Sequence, residues 1–315
     1  VAGVSVAAYT FANRSKGDQL RVNQVEIIDV DFTPDENGES LACGKVWTHF
    51  FTPRVSDLNL QLQPGYLGET KLDGFAPLVS WLGLPGYSLG GMQASGSQTT
   101  VFQNGYDHGE GLASLQHLPV QVWSTKTLTA RWSAGVGVPI AAELQQNSEE
   151  LLDGQLRNDS GVELEDCVLL YGRWAYQVGR MTVGKSLDIS DAMQPRTVKT
   201  MLTNATAGDE TITKTAEDGT VPFHAAQWDV TRLVKSMMFY EAVNGLRYTG
   251  KYHRYQAFVD LSSLLEYKTK AILLARCNAP GSYWRTDQQP LTSDQDRNWT
   301  YYRFVFPVQL REAND

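Results

Sequence analysis

The stretch Leu151–Ile189, LLDGQLRNDSGVELEDCVLLYGRWAYQVGRMTVGKSLDI, decides the fold. Leu152 and Leu156 alternate with Asp153, Gln155 and Arg157, the period-2 pattern of a half-buried strand. Asn158-Asp159-Ser160-Gly161 supplies a turn, and Cys167-Val168-Leu169-Leu170-Tyr171 is a continuous apolar run suited to a strand covered on both faces. Trp174, Tyr176 and Val178 alternate again, Gly179 and Gly184 punctuate the returns, and Leu187-Asp188-Ile189 closes the series. Strands this short with turn signals this frequent predict a β-sandwich.

Outward from that stretch the same grammar recurs. Leu20–Phe32 alternates through Val22, Val25, Ile27 and Val30, breaks at Thr33-Pro34-Asp35-Glu36-Asn37-Gly38, and returns as Leu41–Phe51. Asn-Gly tolerates positive φ at both positions, so a hairpin is predicted there. Asp57–Leu62, Val120–Trp123 and Leu128–Trp132 read as further strands, whereas residues 73–111, rich in Gly, Pro, Ser and Gln, read as long loops. Downstream, Ala226, Val230, Leu233, Val234, Met237 and Met238 recur at helical spacing, and Asn244-Gly245 is a C-terminal stop. Ala271–Cys277 and Tyr301–Leu310 are expected to rejoin the sheet begun at Leu151.

A chain of 315 residues suits two domains of roughly 100–200 residues each. Gly135, Gly137 and Pro139 place the boundary near residue 140. The expectation is a mainly β protein of two β-sandwich-like domains, 17–140 and 141–315, the second carrying an inserted helix near 222–245.

The formal net charge of −8 argues against nucleic acid as a partner, because phosphate neutralisation needs a basic face. Cys43, Cys167 and Cys277 show no CxxC spacing, so a zinc or redox motif is not supported, and the apolar runs around Cys167 and Cys277 predict buried thiols. Asp29, Asp31, Asp35 and Glu39 do not match the spacing of a calcium loop. Asp107, His108 and Glu110 fall in a polar loop without a second histidine in register. No metal and no cofactor are expected. Val1–Ala12 (VAGVSVAAYTFA) is uncharged and apolar but short of the ~20 residues a spanning helix needs. Residues 1–16 are read as the end of a membrane anchor or a linker, with a first strand as the alternative for residues 1–12.

Two motifs point to sharper chemistry. Gly86-Tyr87-Ser88-Leu89-Gly90 matches the G-x-S-x-G nucleophile elbow, making Ser88 the candidate nucleophile of a serine hydrolase. Pro85 before it and the Gly/Ser/Gln-rich Met92–Thr100 after it disagree with the strand-to-helix turn an elbow requires, so a non-catalytic reading is preferred. Trp284 and Trp299 stand among Arg285, Asp287, Asp294, Asp296 and Arg297. Exposed rings there would stack on sugars, which makes these two tryptophans the candidate ligand-binding residues of a carbohydrate-binding module. The competing reading is that they cover the ends of the sandwich.

Three stretches together resemble a family. Lys16–Val25 (KGDQLRVNQV) with Asp29-Val30-Asp31, Trp81–Gly86 (WLGLPG) and Leu118–Lys126 (LPVQVWSTK) are similar to the extracytoplasmic region of uncharacterised bacterial membrane-anchored proteins. Gly154, Leu156 and Asn158 resemble the core of small envelope β-sandwich repeats. The resemblance implies an extracytoplasmic location, anchorage through or before residues 1–12, and other envelope proteins or a polysaccharide as partners. It carries over no catalytic residue.

Overall fold

The computed structural model describes residue 10 and residues 19–32, 40–65, 72–82, 107–203, 230–246, 258–286, 289–293 and 296–310. Across them the protein is mainly β, with several sheets and short helices. Two compact units are present, one formed by residues 1–28, 41–136 and 278–300, the other by 29–40, 137–277 and 301–315. One crossing falls at 136/137, near the Gly135–Pro139 signal. The units are otherwise not contiguous in sequence, because strands β1 (Arg21–Asp31) and β16 (Arg297–Pro307) each run on from one unit into the other. A single cut of the chain cannot express that. No helix among the described residues is long and apolar enough to cross a membrane.

In the first unit β1 neighbours β2 (Ser40–Thr52), followed by β7 (Ser124–Val136) and β4 (Asp73–Leu82). A second sheet has the order β15 (Ser282–Arg285), β3 (Ser56–Pro64), β6 (Ser114–Val120), β5 (Asp107–His108). β4 corrects the expectation of loops over residues 73–82; residues 83–106 of that stretch lie outside the described ones. Val79 is buried and Phe75 lies 5.3 Å from the Trp132 ring, so a period-2 pattern was present beneath the Gly- and Pro-rich composition. Pro77 is accommodated because β4 is the terminal strand of its order, where a missing N–H costs no ladder bond on the open side.

The deciding stretch in the second unit forms four strands as expected but distributes them over two sheets. β9 (Leu152–Asn158) pairs with β12 (Ser186–Ile189) and with β8 (Ile140–Gln146). β10 (Leu164–Tyr171) pairs with β11 (Trp174–Met181), giving the order β13 (Arg196–Thr197), β11, β10, β14 (Lys270–Cys277), β16. β14 and β16 therefore join the sheet of β10, not that of Leu151. The two sheets are tied by Leu152 N–H, which donates to Tyr176 Oη at 2.8 Å, and by Asn158 Nδ2, which donates to Met181 O at 2.9 Å. Gly154 is required where β9 passes β8, since a Cβ there would lie 2.0 Å from Glu143 O and φ is +135°. Leu152 and Leu156 are fully buried between the sheets, each contributing roughly 1.5–3 kcal/mol.

Helix α1 covers Val198–Thr203; α2 covers Val230–Met238 and lies inside the span 222–245 expected to be helical, of which residues 222–229 lie outside the described ones. The chain turns after Met238, and Gly245 N–H donates to Tyr240 O at 2.8 Å with Asn244 at φ 55°, as its stop signal requires. The buried face differs from the expected one. Arg232, Ser236 and Met238 are buried, whereas Leu233, Val234 and Met237 are only half-buried. Ser236 satisfies its hydroxyl by donating to Arg232 O at 2.9 Å. Cys167 and Cys277 are buried and form no disulfide among the described residues, and burial, followed by the neighbouring Asp166 charge, pushes the Cys167 thiol up to about 12.

Candidate binding groove

A cavity of about 800 Å³ lies wholly in the second unit. One side is built from the β10–β11 turn and α1. Val198 N–H donates to Arg173 O at 2.9 Å, fixing the start of α1 against the turn. Thr197 caps that helix, its Oγ1 accepting from Thr200 N–H at 3.2 Å. These bonds set Arg173 and Lys199 along the groove, with the Arg173 guanidinium 4.7 Å from the centre of the Trp174 ring.

The other side comes from the turn after α2 and from residues 260–266, which include a short 3-10 helix (Ser262–Glu266). Asp260 holds it together. Its oxygens accept from Glu241 N–H at 3.0 Å, Ser262 N–H at 2.8 Å and Ser262 Oγ at 2.5 Å. Ser262 Oγ in turn accepts from Ala242 N–H at 3.0 Å. Glu241 and Glu266 stand exposed on this side, and buried Val198 and Leu265 supply an apolar floor.

Beneath that wall sits Arg303, fully buried on β16. Its Nε and Nη2 donate to the two oxygens of Asp29 at 2.6 and 2.9 Å, a bidentate fork. Its Nη1 donates to Met238 O at 3.3 Å and to Val259 O. Met238 O also accepts from Leu261 N–H at 2.9 Å, so one guanidinium fastens both ends of the segment from which Glu241 and Asp260 project.

The residues singled out from sequence lie elsewhere. Trp284 is 1% exposed, paired opposite Leu62 in the β15–β3 ladder, with Nε1 donating to Thr48 Oγ1 at 2.7 Å. Its ring presents no face to solvent, which corrects the expectation of exposure. The polar neighbours concealed a strand in which Ser282 and Trp284 both point inward. Trp299 is half-buried on β16, and Ser88 lies outside the described residues. Asp107 and His108 form the two exposed residues of β5.

Trp284 belongs instead to a buried polar chain in the first unit. Thr48 Oγ1 donates to Gln24 Oε1 at 2.9 Å, and Gln24 Nε2 donates to Ser282 O at 2.7 Å. Glu26, fully buried, then accepts from Gly281 N–H at 2.8 Å, Ser282 N–H at 3.1 Å, Ser282 Oγ at 2.6 Å and Trp132 Nε1 at 3.1 Å. Burial pushes the Glu26 carboxyl up, and the four donors pull against it without overturning it. The signal for both Glu26 and Arg303 was legible. Each is a charge set between two apolar residues of a strand, Glu26 between Val25 and Ile27, Arg303 between Tyr302 and Phe304.

A family model described as a domain of unknown function (DUF8725) matches residues 139–255. That span lies in the second unit and includes Arg173, Lys199 and Glu241, but not Asp260 or Glu266. No curated protein matches the chain. Among solved structures the chain is similar to the yeast delta-COP-I mu-homology domain complexed with a Dsl1 WxWxV peptide, at 9% identity over 92% of this chain and 98% of that one, TM-score 0.32. It is also similar to the Fcho1 mu homology domain of Danio rerio with bound Eps15 peptide, at 8% identity over 92% of this chain and 97% of that one, TM-score 0.31. At such TM-scores these likenesses carry nothing over to this chain.

Proposed function

We propose that this chain is a non-catalytic binding or assembly module whose second unit holds a segment of a partner protein in the groove between α1 and residues 260–266. The observation that carries the reading is the groove itself. It joins an apolar floor at Val198 and Leu265 to exposed charges of both signs, and its wall is pinned from below by a buried ion pair. Recognition sites combine these features, a mostly apolar surface with a few placed polar groups.

Placement outside the cytoplasm, in a bacterial envelope and anchored through or before residues 1–12, is the accompanying proposal. It is supported by the uncharged Val1–Ala12, the acidic balance of the chain and the resemblance of its three quoted stretches. Fractionation of the full-length protein tests it, and recovery in the cytoplasm would sink it. The half-buried ring of Trp299 supports a second reading, a polysaccharide partner. Unchanged fluorescence of Trp299→Phe relative to the parent across a polysaccharide titration would remove it.

The groove is tested by selecting a displayed random peptide library on the full chain and measuring the winners on Ala242→Trp, which fills the cavity. A loss of at least about tenfold is expected, equal to 1.4 kcal/mol. Equal binding to the filled variant would rule the groove out as the site.

A further inference from the structure

The groove also constrains what it holds. Resting on the peptide-groove reading above, we infer that its ligand is an extended segment bearing one carboxylate and one basic side chain, the carboxylate meeting Arg173 and the basic group meeting Glu241 and Glu266.

The charges divide by element. The positive ones come from the β10–β11 turn and α1, the negative ones from the turn after α2 and from residues 260–266. They are not equally available to a ligand. Asp260 is committed to the wall, accepting from two backbone N–H groups and a hydroxyl. Glu241 and Glu266 make no ion pair among the described residues, and both are exposed. Arg173 likewise makes no salt bridge among the described residues; its charge acts on the Glu150 carboxylate at longer range, and its guanidinium lies 4.7 Å from the centre of the Trp174 ring. A guanidinium can receive the two oxygens of a carboxylate at once, a geometry an ammonium cannot match. A purely anionic ligand such as nucleic acid would meet Glu241 and Glu266 as like charges, and a purely cationic one would meet Arg173. A segment carrying both signs meets neither penalty.

The test uses the full chain and peptides selected from a display library of balanced charge. Winners are expected to carry at least one Asp or Glu and one Lys or Arg. Their affinity, read by fluorescence anisotropy, is expected to fall about tenfold on Arg173→Glu and to be restored when the peptide carboxylate is replaced by Lys. Glu266→Lys is expected to act on the peptide's basic residue in the same way, with rescue by Glu. Both sites are exposed, and unchanged circular dichroism confirms that folding is intact. Peptides lost on Ala242→Trp yet indifferent to both reversals would overturn the charge assignment while leaving the groove as the site. Peptides indifferent to Ala242→Trp as well would overturn both.

Discussion

In each unit one strand buries a charge between two apolar neighbours, Glu26 on β1 and Arg303 on β16, and the two solve the problem differently. Glu26 is surrounded by neutral donors: two backbone N–H groups, a hydroxyl and an indole. Arg303 is met by a full opposite charge at Asp29 and by two carbonyls. The chemistry of the side chains explains the difference. A carboxyl can take up a proton when burial makes ionisation costly, so neutral partners suffice. A guanidinium stays charged, so its burial demands a counter-charge. The fixed pair is the one that shapes the groove.

Removing the fixed charge should have the largest effect. Arg303→Ala leaves Asp29 facing the vacated site and takes one hydrogen bond from each of the Met238 and Val259 carbonyls. A loss of about 3–5 kcal/mol is expected in denaturant unfolding. Arg303→Met with Asp29→Leu should recover part of that loss, and the unrecovered part measures the grip on the two carbonyls. Full recovery would show that the carbonyl bonds contribute nothing.

Next is the support of Glu26. A Cβ at Gly44 would lie 2.0 Å from the Trp132 ring, whose Nε1 donates to Glu26. Gly44→Ala should therefore cost about 1–3 kcal/mol through overpacking, with a shifted tryptophan emission. An unchanged melting temperature would mean that the ring yields freely.

The ionisation of Glu26 gives a smaller, signed effect. Its folded-state pKa is raised, so the folded state holds the proton more tightly than the unfolded one. The associated stability is full below the unfolded value and is lost as pH rises through the folded one. Relative to Glu26→Gln, which does not titrate, the parent should gain melting temperature as the pH falls towards the ordinary carboxylate range. A relative loss on acidification would mean that the four donors hold the carboxylate ionised.

The smallest effect belongs to the surface. Lys268 pairs with Glu150 at 2.8 Å with both side chains more than half exposed. Lys268→Ala should leave the denaturant midpoint unchanged, because solvent screens so exposed a pair; a clear drop would show that it contributes after all.

These two buried charges also mark how far the sequence could be read. Period-2 alternation exposed β1, β2, β3 and most of Leu151–Ile189, because a strand with one buried face writes itself into local sequence. It could not say that β9 and β10 belong to different sheets, since partners are chosen by packing between distant residues. β4 was masked by glycine and proline around it, and Trp284 by the charges that follow it. On α2 the apolar stripe suggested one buried face, yet Arg232 and Ser236 lie on the other. The groove was invisible for a simpler reason. Arg173, Lys199, Glu241 and Glu266 are ordinary surface residues in sequence, brought together only by the fold. Glu26 and Arg303, each alone among apolar neighbours, were the readable trace of what holds each unit together.

The most direct measurement is hydrogen–deuterium exchange on the full chain with and without a saturating selected peptide. Binding in the groove requires slowed exchange at residues 172–173, 197–199, 241–242 and 260–266, with β3 and β6 unchanged. Protection confined to residues of the first unit, with the groove segments exchanging as before, would contradict it.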